Sequence, residues 1–141
     1  MPLGGSASLR HAVLDTNILV SALLHPDGPP GHVLAAVQAG DLVPVFSPAM
    51  LAEYESVLRR PRLRLDAAKV AAALHQFHAI GTLVRTTAPP PAGLPDGSDW
   101  PFIACALAAG CPVVTGNARH YPPRLGVRVM TAREWIDQQR P

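Results

Sequence analysis

The feature that most constrains this chain is an alternation. Short apolar runs of strand length take turns with longer segments that carry helix-start and helix-stop residues. Residues 11–15 (HAVLD) form an apolar run ending in a carboxylate, and Thr16 and Asn17 can then cap a helix opening on Ile18, Leu19 and Val20. Residues 26–31 (PDGPPG) make a loop, and a helix over 32–39 follows, closed by Gly40. Residues 42–46 (LVPVF) give a second buried strand, although Pro44 argues against a central place in the sheet. Ser47 as N-cap and Pro48 at the first helical position open a helix from 48 to about 60, where Pro61 stops it. Residues 66–80, with Val70, Ala73, Leu74 and Phe77 at helical spacing, make a further amphipathic helix ended by Gly81. A short strand over 82–85 precedes the loop 86–97, which holds Pro89, Pro90, Pro91 and Pro95. A helix over 100–109, strands over 112–115 and 126–130, and a Thr131-capped helix through 139 complete the series.

This order predicts an α/β fold with a parallel sheet of four to five strands and helices on both faces, with ligand sites outside the carboxyl ends of the strands. At 141 residues the chain makes one domain, with a core over about 11–136, large enough to need no disulfide or structural metal. Cys105 and Cys111 have no partnering Cys or His cluster, so they are expected as two reduced, partly buried thiols. Residues 1–10 lack an apolar signal core, and no run reaches the ~18 apolar residues needed to cross a bilayer, so a soluble cytoplasmic protein is expected. The twelve basic residues are eleven Arg plus Lys69, but ten acids leave a formal charge of only +2. Charge placement, rather than net charge, has to carry any nucleic-acid argument.

Asp15 after the first strand and Asn117 after the fourth lie at carboxyl ends, where such folds build sites. Glu53 lies in the helix after the second strand; packing through a Leu51, Tyr54 and Leu58 stripe leaves it near one edge. Glu55 is about 200° of helix rotation away and belongs to the surface. Asp96 and Asp99 flank a loop-to-helix junction. Each acid alone reads as well as a helix cap or a solvated surface group. If Asp15, Glu53 and Asp99 converge within ~6 Å, each pair repels by roughly 3 kcal/mol at an effective dielectric near 20. A total of about 8 kcal/mol rivals the stability of a whole domain, so such a cluster must protonate or bind a cation. All-oxygen ligation without His or Cys selects a hard ion, Mg²⁺ or Mn²⁺, and phosphoryl chemistry is its natural use.

Four stretches in order carry a resemblance. They are VLDTNILVSALL (13–24), SPAMLAEYESVLRRP (47–61), DGSDWPFIACALAAG (96–110) and VVTGNARHY (113–121). Together they resemble the PIN-domain family over residues 11–136, which implies its three-layer αβα fold and a typical activity of RNA hydrolysis. By the resemblance Asp15, Glu53 and Asp99 are the catalytic metal-binding acids, Asp96 is an outer ligand, and Asn17 and Thr115 are polar helpers at the substrate. Many members carry an Asp where this chain has Asn117. An amide can ligate Mg²⁺ but adds no charge, so one firmly held ion is expected. The TGN-x-x-H-Y form is similar to a subgroup of bacterial PIN proteins described as toxin components, VapC-like ribonucleases, which implies a toxin acting as a metal-dependent endoribonuclease. That likeness also implies an antitoxin partner and a homodimer. The alternative is a catalytically weak member serving as an RNA- or partner-binding module. Arg59, Arg60, Arg62 and Arg64 form the densest basic patch and can grip RNA phosphates, although cations at a helix C-terminus need no such role. His120 reads as structural beside Tyr121. A haloacid-dehalogenase-like phosphatase needs a second Asp where Asn17 stands, and no glycine-rich phosphate cradle follows the first strand.

Overall fold

The computed structural model describes residues 10–86, 88–94 and 97–139, and every side chain among them but that of Ser98. Strands β1 (His11–Leu14), β2 (Val43–Phe46), β3 (Thr82–Leu83), β4 (Val113–Val114) and β5 (Val129–Met130) form one all-parallel sheet in the order β3-β2-β1-β4-β5. Six helices flank it: α1 (Thr16–Leu24), α2 (Pro29–Gln38), α3 (Pro48–Leu58), α4 (Ala67–Ile80), α5 (Trp100–Ala109) and α6 (Ala132–Gln138). The chain winds outward from β1 to β3 and then jumps across to β4. Right-handed crossovers in opposite directions put their helices on opposite faces, giving three αβα layers. Helix α2 packs on α1 and α6, while α5 packs on β1, β2 and β4. The two faces of β1 disappear into this core, where Ala12, Val13 and Leu14 are fully buried. No helix among the described residues is long and apolar enough to cross a membrane.

Several boundaries differ from the sequence reading for identifiable reasons. Helix α2 begins at Pro29, inside the expected loop, because prolines in a first turn forfeit no helical hydrogen bond and preset φ. Gly31 seats that turn: a Cβ there would fall 2.0 Å from the Pro26 carbonyl oxygen. Helix α1 starts at Thr16 with Asp15 in the N-cap position, so Thr16 and Asn17 do not cap it, and Thr16 Oγ1 is buried without a partner among the described residues. Helix α3 stops at Leu58, two residues short of the expected end, and its buried stripe is Met50, Tyr54 and Leu58 rather than one through Leu51.

Pro44 proves compatible with an interior strand. Val43 donates its N–H to Arg10 on the β1 side, so the position of the missing Pro44 N–H faces β3. There β3 pairs only with Val45 and Phe46, beyond the proline, so no ladder bond is lost. The last three strands are each two residues long, shorter than their apolar runs. Single 3₁₀ turns at Ala118–His120 and Pro123–Leu125 fill the stretch between β4 and β5.

Candidate active site at the carboxyl edge of β1 and β4

In an open parallel sheet the cleft for ligands lies where the winding reverses, outside the carboxyl ends of the strands. Here that point is between β1 and β4, and the residues leaving those strands are Asp15 and Thr115. They meet: Thr115 Oγ1 donates to Asp15 Oδ2 at 2.6 Å. Tyr121 OH donates to the same oxygen at 3.0 Å. Asp15 is 8% exposed and occupies the N-cap position of α1, yet its side chain makes no capping bond. The carboxylate is turned to the cleft instead of to the helix. Both of its side-chain bonds fall on Oδ2, which leaves Oδ1 open among the described residues.

The surrounding groups hold this corner rigid. Thr115 is fully buried and its hydroxyl also accepts from the Asn117 N–H at 3.0 Å. That hydroxyl thus ties Asp15 to the backbone at the end of β4. Asn17 Oδ1 accepts from the Gly116 N–H at 3.3 Å, tying α1 to the end of β4 and leaving its NH₂ for other partners. Tyr54, on α3, crosses the core to donate to the Leu14 carbonyl at 2.6 Å, immediately before Asp15. Burial, then the negative charge of Asp15, then Cys105, push the Tyr54 phenol well above its ordinary range. Tyr121 is raised too, by burial first and then by the charges of Asp15 and Asp99. Both phenols stay neutral and act as hydrogen-bond donors.

Asp99 enters the same neighbourhood from the other side. It stands in the N-cap position of α5, is 8% exposed and, like Asp15, makes no side-chain cap bond. His120 Nδ1 approaches its Oδ2 at 3.3 Å from the 3₁₀ turn after β4. His120 and Tyr121 are consecutive, so the residue that approaches Asp99 and the one that bonds to Asp15 are chain neighbours.

Of the expected acids, then, Asp15 and Asp99 are brought together. Glu53 is half-buried on α3, one residue from Tyr54, and makes no hydrogen bond or ion pair with a described residue. Glu55 is exposed, as expected. Among the described residues no group of three or more His, Cys, Asp or Glu side chains is placed to hold a metal ion. Asp96 lies outside the described residues. Asn117 is half-buried at the lip of β4. Arg59, Arg60, Arg62 and Arg64 are all exposed; Arg59 is six residues past Glu53, about 9 Å along the axis at the helical rise. The donors that Asp15 and Asp99 offer are carboxylate oxygens, the chemistry that suits a hard divalent ion rather than a soft one.

Sequence reasoning set His120 aside and did not single out Tyr121 or Tyr54 for the site. The signal for the first two was present, since both close the stretch VVTGNARHY that was already under suspicion. Nothing local marks Tyr54, whose partner is 40 residues away. The thiols behave as expected: Cys105 and Cys111 are buried and free.

A stretch of 52 residues is 38% identical to an uncharacterized protein of Methanocaldococcus jannaschii; it is 37% of this chain and spans only about a third, 34%, of that relative. The family model described as the PIN domain matches residues 11–119, running from the start of β1 through Asp15, Glu53, Asp99 and Asn117. That match covers most of the described fold and every candidate ligand: the chain belongs to the PIN-domain family, whose members are in general nucleases.

Proposed function

We propose that the chain is a metal-dependent endoribonuclease whose catalytic ligands are Asp15, Asp99 and Glu53. The observation that supports this most is the state of Asp15. It sits at the switch point of the sheet, one oxygen clamped by Thr115 and Tyr121 and the other left open. A buried carboxylate clamped in this way, with a second buried one in the same neighbourhood, is costly unless a cation offsets the charge. Mg²⁺ or Mn²⁺ held by these acids would supply hydroxide at neutral pH and offset charge on a phosphodiester.

The protein's own part is positioning. Tyr121 and Thr115 keep Asp15 from turning into a helix cap, His120 approaches the Asp99 carboxylate at 3.3 Å, and Tyr54 pins α3, the helix that carries Glu53, to the end of β1. Asn117 contributes an uncharged amide, so a single firmly held ion suits the site better than two, with Asp96 as a reserve ligand. The Arg59 and Arg60 guanidiniums serve as phosphate grips for the RNA beyond Glu53, and the Asn17 NH₂ faces substrate.

A toxin of a toxin–antitoxin pair, working as a cytoplasmic homodimer, is the role this activity suits best. Its antitoxin would insert a basic or apolar segment over the acidic edge. Light scattering of the purified chain decides the dimer. A binding-only module is the second reading, favoured by the lack of a preassembled three-ligand group among the described residues. The two separate by RNA cleavage with Mg²⁺ or Mn²⁺, with EDTA, and with Asp15→Asn. The nuclease reading expects cleavage only in the first condition, and equal cleavage in all three would sink it.

A further inference from the structure

We infer that the groove between the starts of α3 and α5 is a nucleotide subsite that stacks one base of single-stranded RNA beside the cleaved bond. This extends the nuclease reading of the preceding section. The groove, about 490 Å³, is lined by Ser47, Pro48, Arg85, Ala88, Trp100 and Pro101 among others. That volume is in the range of small-ligand sites, ~300–1,000 Å³.

Its position is the first reason. Ser47 leaves β2, Arg85 follows β3 and Trp100 follows Asp99, so the groove lies on the same carboxyl edge as Asp15, on the β2–β3 side. Trp100 and Asp99 are consecutive, ~3.8 Å apart at Cα. A strand whose phosphate sits over Asp15 and Asp99 therefore passes next over this groove.

Its chemistry is the second. Trp100 Nε1 donates to the Ala88 carbonyl at 2.8 Å, so the polar edge of the indole is satisfied, and the half-buried ring, packed in part against the core, presents apolar surface to the groove. Arg85 is exposed and has no hydrogen bond or ion pair among the described residues. An aromatic face with a free guanidinium beside it is what unpaired bases and their phosphates bind, with little regard to sequence. The acidic edge repels a polyanion, and Arg85 supplies the opposite sign next to it. The other cavity that joins Arg and Trp, around Arg10, lacks this chemistry: Trp135 is 2% exposed and Asp41 shares the lining.

The test is affinity for a labelled single-stranded oligouridylate by fluorescence anisotropy in EDTA, where no cleavage occurs. Trp100→Ala should weaken binding roughly five- to hundred-fold, as loss of one base–aromatic stack does, while Trp100→Phe stays within a few fold. Arg85→Gln should lower the slope of log K against log salt by about 0.7, one phosphate contact to a single strand. If folded Trp100→Ala binds as wild type does, the subsite is refuted. If that variant does not fold, Arg85→Gln decides, and an unchanged salt slope overturns the proposal. Wild type that cleaves RNA with Mn²⁺ while both variants bind normally leaves the nuclease reading intact and removes only the groove. Loss of affinity in the variants of a protein that never cleaves does the reverse. Wild type with no affinity for the oligonucleotide defeats both.

Discussion

The two sides of the carboxyl edge are built differently. On the β1–β4 side most polar groups are bonded to another, Thr115 and Tyr121 to Asp15, Asn117 to Thr115 and Gly116 to Asn17, and His120 Nδ1 lies 3.3 Å from Asp99 Oδ2. On the α3 side Glu53, Arg59 and Arg60 bond to no described residue. The first side comes from loops and turns tied across the sheet, and the second from one helix that Tyr54 ties to the end of β1. On the proposed nuclease reading, the bonded half would fix where a phosphate sits and the unbonded half would supply contacts made only when RNA arrives. Rigid preorganisation of carboxylates is costly without a counter-ion, which, on that reading, is a reason for Glu53 to stand on a separate element.

That contrast yields unequal losses. Within the bonded half, Asp15→Asn should lower RNA cleavage by at least about 100-fold, because even outer partners of metal ligands are worth 10–100-fold. Thr115→Val, which removes a clamp but no ligand, should cost about 10–100-fold in Mn²⁺ affinity. In the unbonded half, Glu53→Gln should reduce cleavage sharply while shifting stability by less than ~0.5 kcal/mol, as for a side chain without partners. If Glu53→Gln cleaves as well as wild type, the site is confined to the rigid half and the comparison loses its functional meaning. Arg59→Ala with Arg60→Ala should have a smaller effect, a few fold in RNA affinity at low salt that fades as salt is raised.

The two buried thiols make a separate pH prediction. Burial, reinforced by the neighbouring Cys111 charge, pushes the Cys105 thiol up from near 9 to about 12. Burial likewise moves Cys111 from near 9 to about 11, against opposing hydrogen bonds and Arg128. Native thiols therefore keep their protons where unfolded ones lose them. Their contribution to stability is complete below pH ~9 and is lost as pH rises to about 11 and 12. Melting temperature should fall over that window, and a native chain should resist alkylation at pH 8 until it is unfolded.

What was legible in the sequence follows from range. Helix α5 was bounded correctly because its signals are local: Asp99 at the start, an uninterrupted apolar run, and Gly110 with φ +67 at the end. All five strands were located by their apolar runs, but how far each pairs is set by its neighbour. Leu83 and Val84 are equally apolar, for example, yet β3 ends at Leu83. Pro44 misled for the same reason, since whether a missing N–H matters depends on a strand 38 residues on. In the site, the acids announced themselves by place after strands and before helices. Which of them cap helices and which turn into the cleft was settled by Thr115 and Tyr121, 100 and 106 residues from Asp15, beyond any local pattern.

The central claim is that Asp15 is a ligand of a divalent cation and not merely a buried acid bonded to its neighbours. Calorimetric titration of Mn²⁺ into wild type and Asp15→Asn addresses it directly, with circular dichroism confirming that both are folded. One tightly bound ion per chain in the wild type, lost in Asp15→Asn, is the predicted result. Equal Mn²⁺ binding by the two proteins, or none by either, would contradict it.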